Sequence, residues 1–553
     1  MKTFQPKILS VFKQYSKKQL VNDLIAGLIV AIIALPLSIA LAIASGVGPE
    51  QGLYTAIVAG FVIALFGGSK VNISGPTAAF ATIVAGIVAT EGLDGLVIAT
   101  IMAGILLILF GICRLGSLIK YIPYTITTGF TAGIAVTIII GQLKDFFGLT
   151  PAPGTHAVET MEKVQMLAQS FGTFNWQSFA VGAVALAILI VWPRVSRKIP
   201  GSLIVVLLGS LAVRFLKLDV KTIGDLYQIS SALPTPALPT LDMTRILHLL
   251  PNALTIALLA AIESLLSCVV SDGMIDDRHN SNTELIAQGL GNVCSGIFGG
   301  IPATGAIART AANVKNGGRS PISGMVHAVV LLLILVVLMP LAAWIPMPVI
   351  AAILLMVAYN MSEWRRFVRI CKTASPSEIL VLVATFLLTV IFDLVVAIAA
   401  GLILAAFLFV KKSADLAEAH EWSETEGRGK NLPYGTVVYE INGPMFFAAS
   451  DKFLQFPIHG DTRVMIVRMA GVTMLDSTAE QNVEKICDYC GEYGVKLLFA
   501  HVHEQPLGVM KKCGVWDRLG EDAFCENTEA AIVRARILMA DTTETGGSKS
   551  ADT

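Results

Sequence analysis

Two charged residues stand where charge is costly. Glu263 lies in the apolar stretch 251–270, among Leu, Ile and Ala. At 1.5 Å per residue it would sit about 18 Å from the start of a helix beginning at Pro251, deep in any hydrocarbon that helix crosses. A carboxyl held out of water favours its neutral form, which makes Glu263 a candidate proton carrier. Held ionised, it would instead ligate Na⁺ or pair with Arg309. Arg309 belongs to a second apolar region, 306–316. An intramembrane arginine costs about 2.5–3.5 kcal/mol on insertion scales, so it faces a partner or a wet cavity. It would either reinforce an anion site or serve as a structural cation, paired or snorkelling to the cytoplasm.

Both regions open on small and hydroxyl residues, Ser74-Gly75-Pro76-Thr77-Ala78-Ala79 and Thr304-Gly305-Ala306-Ile307-Ala308-Arg309. The helices that follow, 76–90 and 306–316, are too short to cross alone. A helix that starts inside hydrocarbon strands its first N–H groups, and an anion is a natural acceptor for them. Ser74, Thr77 and Thr304 would add hydroxyls to such a site. The plainer reading is a Gly/Pro kink in each of two ordinary helices.

Other reactive residues are weaker candidates. His248, His279 and His327 do not cluster, so no metal site is expected from them. Cys487 and Cys490 have redox or zinc spacing, with His501 and His503 on a nearby strand, but no second cysteine pair. All eight cysteines are read as free thiols. Nucleotide loops and nucleophile–base pairs are absent, so an enzyme is not expected, nor is any resident cofactor or metal. Asp393 between the last two apolar stretches reads as a turn.

The elements that must position these residues are membrane spans. Of 553 residues, 54% are hydrophobic and 14% charged, against about 25% charged in soluble domains. Net charge is +0, which gives no pull toward nucleic acid. Helices are predicted at 21–44, 51–66, 76–90, 94–113, 123–141, 177–195, 200–216, 251–270, 284–298, 306–316, 321–340, 346–360, 376–393 and 395–412. Basic residues follow the even-numbered segments: Lys70; Arg114 and Lys120; Arg194, Arg197 and Lys198; Arg278; Lys315 and Arg319; Arg365, Arg366 and Arg369. The positive-inside rule then places both termini in the cytoplasm of a multi-pass inner-membrane protein.

Gly75 and Gly305 head the two similar stretches, and the same spacing carries Val21 to Pro251, the starts of the first and eighth segments. Two halves of seven spans follow, and an odd number inverts the second copy, as in secondary transporters. The membrane domain is therefore expected over 1–412. A charged linker over 413–433 would lead to a small cytoplasmic α/β domain over 434–540, and residues 541–553 would form a disordered tail.

The order Leu35-Pro36, Gly52-Leu53-Tyr54 and Ser74-Gly75-Pro76-Thr77, then Glu284-Leu285 through Gln288-Gly289-Leu290-Gly291-Asn292 and Thr304 through Thr310, resembles the sulfate-permease family. Val467–Met469 followed by Leu475-Asp476-Ser477-Thr478 resembles a STAS domain. The resemblance implies core and gate domains in a seven-plus-seven inverted repeat, an anion site between the third and tenth helices, and elevator-like movement. Carried over residue by residue, that site is Thr77, Ala78 and Ala79 with Ala306, Ile307, Ala308 and Arg309, and Glu263 takes the cation-coupling position. Many relatives have Ser where this chain has Ala308, so a hydroxyl contact is missing. Ser477 matches a phosphorylated position of antagonist relatives, against the plainer role of a helix start for Asp476, Ser477 or Thr478.

The expected function is H⁺- or Na⁺-coupled transport of a small inorganic or carboxylate anion, sulfate before bicarbonate or a C4-dicarboxylate. A homodimer, membrane lipid and a cytoplasmic protein at the STAS domain are the expected partners. The alternatives are an uncoupled conductor or exchanger, a nucleobase/proton symporter of the same fold, and a membrane-bound anion sensor with STAS output.

Overall fold

The computed structural model describes residues 4–11, 15–117, 123–152, 157, 159–196, 200–237, 239, 242–392, 394–422, 432–453 and 459–546. They form two compact units, 1–402 and 403–553. Asp393, Lys120, Arg197 and Lys198 lie outside the described residues.

Every predicted span has a helical counterpart. Counting helices of eight residues or more, these are α1 (Lys17–Ala44), α2 (Pro49–Phe66), α3 (Ala81–Ile112), α4 (Tyr124–Phe146), α5 (Thr160–Ser170), α6 (Trp176–Val195), α7 (Gly201–Leu216), α8 (Met243–Ile275), α9 (Ser281–Ile297), α10 (Ile307–Lys315), α11 (Pro321–Leu338), α12 (Met347–Met361), α13 (Trp364–Thr373), α14 (Pro376–Ile391) and α15 (Leu394–Asp415). Among the described residues, nine helical segments are long and apolar enough to cross a membrane. Their starts follow local chemistry: Ser16 accepts the Gln19 N–H at α1, and Asn280 accepts that of Thr283 at α9. Ser375 and Glu378 form a capping box at α14.

Two boundaries differ from expectation. The segments 76–90 and 94–113 join in α3 across a break at Gly92, whose φ of 70° suits glycine. α8 starts at Met243, capped by Asp242, and runs through Pro251. Pro251 lies inside α8, where its missing N–H removes the bond to the Leu247 carbonyl, and the Thr255 hydroxyl donates to the Pro251 carbonyl at 2.8 Å. The short amphipathic helices α5 and α13 were not anticipated.

The helices pack as two bundles. One contains α1, α2, α3 and α8 to α11; the other contains α4, α6, α7, α12 and α14. Small residues let backbones touch in both. A Cβ on Gly104 of α3 would lie 2.7 Å from the Gly289 carbonyl of α9, and one on Gly289 would lie 2.5 Å from that of Gly104. In the second bundle, a Cβ on Gly129 of α4 would lie 2.8 Å from the Leu382 carbonyl of α14. Asp23, fully buried, explains one more join. It accepts the Arg319 N–H at 2.8 Å, the Ser320 hydroxyl at 2.5 Å and the Tyr15 hydroxyl at 2.7 Å, tying α1 to the start of α11.

Two two-residue strands, β1 (Ser74–Gly75) and β2 (Thr304–Gly305), pair antiparallel inside the first bundle. The second unit holds β3 (Glu418–Glu421), β4 (Thr436–Asn442), β5 (Val464–Gly471), β6 (Lys496–Ala500) and β7 (Phe524–Cys525), hydrogen-bonded in that order. β3 is antiparallel and the rest parallel. Alternation along the strands sends Tyr439, Met465, Val467 and Phe499 to one core with α16 (Ser477–Glu492) and α17 (Glu504–Lys512). Val438, Ile466 and Leu498 face the other way, against Ala531, Ile532 and Ala535 of α18 (Thr528–Gly546).

The expected linker and tail need correction. Residues 418–421 are an edge strand whose glutamates and histidine made it read as a charged connector. Residues 541–546 continue α18, since extending a formed helix adds one hydrogen bond per residue fixed. Residues 423–431 and 547–553 lie outside the described residues.

Candidate functional site

Ser74 pairs with Gly305 and Gly75 with Thr304. From this join the chain enters two helices: Ala78–Phe80, leading into α3, and α10 from Ile307. Thr77 and Ala306 occupy the preceding positions with extended backbone, and no side chain caps either start. Thr77 and Ala306 are half-buried, Ala78 and Ala79 buried, and Ile307 and Ala308 exposed. The expected residues of the two stretches therefore share one locale, with two sets of unspent helix N–H groups.

The two charged residues take different places around it. Thr77 donates its hydroxyl to Glu263 Oε2 at 3.0 Å, so α8 is tied to the first helix start. Arg309 is 3% exposed and donates Nη2 to the Pro76 carbonyl at 2.9 Å, so α10 is tied to the same stretch. Its Nη1 is buried without a hydrogen-bond partner, 2.6 Å from where a Gly75 Cβ would stand. A side chain at Gly75 would therefore make the guanidinium shift. The ion pair between Glu263 and Arg309 weighed from sequence is not formed, and burial rules out snorkelling.

A polar framework holds the join. Thr304 and Ser264 hydroxyls meet at 2.7 Å, and Ser264 accepts the Gly305 N–H at 3.0 Å. Asn72 Oδ1 accepts from Ser267 at 2.8 Å and Thr310 at 3.0 Å, while its Nδ2 donates to Glu284 Oε1 at 2.8 Å. Glu284, fully buried, also accepts the N–H groups of Gly68 and Ser69 at 2.8 and 3.2 Å and Gln288 Nε2 at 3.0 Å. Gln288 continues to Ser74 Oγ at 2.9 Å. Asn72, Ser264 and Ser267 had not been singled out, and Thr310 only as the end of a family-like stretch. Their signal was present as polar residues within apolar segments, which must be hydrogen-bonded when buried.

The join lies where the two bundles meet: Thr82 at the start of α3 is 3.5 Å, oxygen to oxygen, from Thr137 of α4. The histidines stay apart. His248 meets Glu91 at 3.4 Å, His279 meets Asp272 at 2.7 Å, and buried His327 has neither ring nitrogen bonded.

In the second unit, Cys487 and Cys490 are core residues, with Cys490 Sγ 3.9 Å from Met465 Sδ. Burial pushes the Cys487 thiol up to about 12 and that of Cys490 up to about 11, opposite to a metal-binding or redox thiol. His503 instead meets the Ala470 carbonyl. Ser477 is exposed at the first position of α16, and the cap is Asp476, whose Oδ1 accepts the Thr478 and Ala479 N–H groups at 3.0 and 2.9 Å.

The chain matches the model of the sulfate permease family over residues 20–385 and that of the STAS domain over 430–531. It is 40% identical to YvdB of Bacillus subtilis (strain 168), a protein with a sulfate-transporter name, over 93% of this chain and 98% of that one. It is 29% identical to the bicarbonate transporter BicA of a Picosynechococcus species, over 94% and 95%. The solved transmembrane domain of a cyanobacterial BicA superposes with a TM-score of 0.64 at 32% identity, covering 70% of this chain and 99% of that one. The overall structure of SLC26A9 shares the fold at a TM-score of 0.85 and 19% identity, over 97% of this chain and 93% of that one. The chain belongs to the sulfate permease family and carries a C-terminal STAS domain.

Proposed function

We propose that the chain is a secondary active transporter that carries a small anion across the inner cell membrane together with H⁺ or Na⁺. The observation that carries this reading is the join of β1 and β2. It sets two uncapped helix starts beside a buried Arg309, with Glu263 on the Thr77 hydroxyl. Helix N-termini and a guanidinium favour negative charge. Thr77, Ala78 and Ala79 with Ala306, Ile307, Ala308 and Arg309 form the anion site, and Glu263 takes the coupling cation.

Sulfate is the first substrate, bicarbonate the next and C4-dicarboxylates the third; the names of YvdB and BicA support the first two. With Ala308 offering no hydroxyl, backbone amides and Arg309 do most of the binding. No part of the site suggests catalysis, and the named relatives are transporters.

The bundle carrying every site residue is the moving core, and the other bundle is the gate of an elevator. The antiparallel pairing of the two joins supports a seven-plus-seven inverted repeat of 14 segments with both termini cytoplasmic. The working form is a homodimer, and the STAS domain docks a cytoplasmic protein. Phosphate on exposed Ser477 would place negative charge at a helix N-terminus and alter that docking.

Titration of the detergent-purified chain with sulfate, bicarbonate and succinate tests the site. Saturable binding of one anion, competed by the others, supports it; no saturable binding of any anion contradicts it. An uncoupled exchanger or an anion sensor with STAS output becomes the better reading if the wild type binds an anion but accumulates none under an H⁺ or Na⁺ gradient.

A further inference from the structure

The helix α13, Trp364-Arg365-Arg366-Phe367-Val368-Arg369-Ile370-Cys371-Lys372-Thr373, joins two membrane-embedded helices of the second bundle, α12 and α14. Its two faces are cleanly divided. At 100° per residue, Trp364, Phe367, Val368 and Cys371 form one stripe, and Arg365, Arg369 and Lys372 form the opposite one. None of its residues is buried, and Trp364 and Val368 are 47% and 39% exposed. A soluble protein would cover such a stripe with its own core. Here the chain leaves Trp364 and Val368 open, between two apolar helices.

Glu363, with φ of 40°, breaks the helix at the end of α12, so α13 does not continue that span. Two contacts fix it beside the gate-side helices. Phe367 packs edge-on against Phe386 of α14 with ring centroids 5.4 Å apart. The Arg366 guanidinium lies over the Tyr124 ring of α4 at 3.9 Å and also meets Glu363 at 2.9 Å. Arg366 is therefore engaged within the protein, whereas no protein acid meets Arg369 or Lys372 among the described residues. An open groove of about 580 Å³ lies at the start of α13, lined by Tyr359, Asn360, Glu363, Trp364, Arg365 and Arg366.

We propose that α13 lies in the headgroup plane and binds anionic phospholipid, its apolar stripe in the acyl region and Arg365, Arg369 and Lys372 on the phosphate and headgroup charge. The occupant follows from the charge: Arg369, Lys372 and Arg365, the last 5.6 Å over the Trp364 ring, are three cations that no acid meets among the described residues, and beside an aromatic–aliphatic stripe they match a lipid phosphate over acyl chain. This site is separate from the anion join, and it places lipid charge on the bundle that would act as gate.

The test is native mass spectrometry of the full-length protein equilibrated with equimolar phosphatidylglycerol and phosphatidylcholine. The wild type should retain phosphatidylglycerol preferentially. The variant Arg365→Gln/Arg369→Gln/Lys372→Gln should lose that preference by about tenfold or more, while Arg365→Lys/Arg369→Lys should keep it. Lys485→Gln, an exposed charge on α16, should change nothing. Unchanged phosphatidylglycerol retention in the glutamine variant, with its melting temperature intact, overturns the proposal. A variant that falls from dimer to monomer without altered lipid retention also overturns it, and makes a second copy the occupant of the stripe.

Discussion

The Thr77 hydroxyl donates to Glu263 Oε2 across 3.0 Å, and so links the first broken helix to the only acid of the 251–270 stretch. A carboxylate that bound a coupling ion would change this bond as it loads or unloads. Thr77→Val, which keeps the shape and removes the donor, should therefore weaken coupled accumulation about tenfold while leaving the folded yield unchanged. Equal accumulation by the variant in reconstituted vesicles would mean that the bond is only structural.

Arg309 supplies the second arm of the join. Its Nη2 is committed to the Pro76 carbonyl, and its Nη1 is buried without a partner. A charge-assisted hydrogen bond contributes about 1.5–3 kcal/mol, so Arg309→Ala should weaken anion binding by at least about tenfold. Calorimetry compared with the melting temperature separates the two roles. Unaltered affinity with a lowered melting temperature would leave Arg309 as a structural cation.

Glu284 should matter in the opposite way. It is fully buried and accepts four hydrogen bonds, from Gly68, Ser69, Asn72 and Gln288. Glu284→Gln sets an amide donor against donors and should destabilise the first bundle by about 2–4 kcal/mol. The check is a thermal melt in detergent, where a wild-type melting temperature would contradict this account of the framework.

The thiols of the STAS domain give a prediction with a clear sign. Burial holds Cys487 at about 12 and Cys490 at about 11, so both stay protonated thiols at pH 8. Alkylation by iodoacetamide at pH 8 should label exposed Cys113 at least tenfold faster than either. Rapid modification of Cys487 or Cys490 in the folded chain would revive a redox or metal role for the pair.

Most spans were legible because they are long apolar runs, and hydrocarbon permits little else but helix for such runs. The site was legible because charge and broken helices are costly in the same setting: Glu263, Arg309 and the two Gly-containing stretches stood out as exceptions. Their meeting was readable only as a repeat, since the Ser74–Gly305 pairing is a contact across 231 residues. Asn72, Ser264 and Ser267 escaped notice because small polar residues are tolerated anywhere in a helix bundle, and nothing local reveals what they bond to. The edge strand 418–421 was missed for a different reason. Its pairing depends on a neighbour, β4, while its own side chains are those of a solvated loop.

Uptake into proteoliposomes tests the central claim most directly, comparing the wild type with Glu263→Gln under imposed H⁺ and Na⁺ gradients and labelled sulfate, bicarbonate or succinate. The account predicts that the wild type accumulates one of these anions under one of the gradients. Glu263→Gln should still bind or exchange that anion but not concentrate it. Accumulation by Glu263→Gln equal to the wild type, or uptake by the wild type that ignores both gradients, would contradict it.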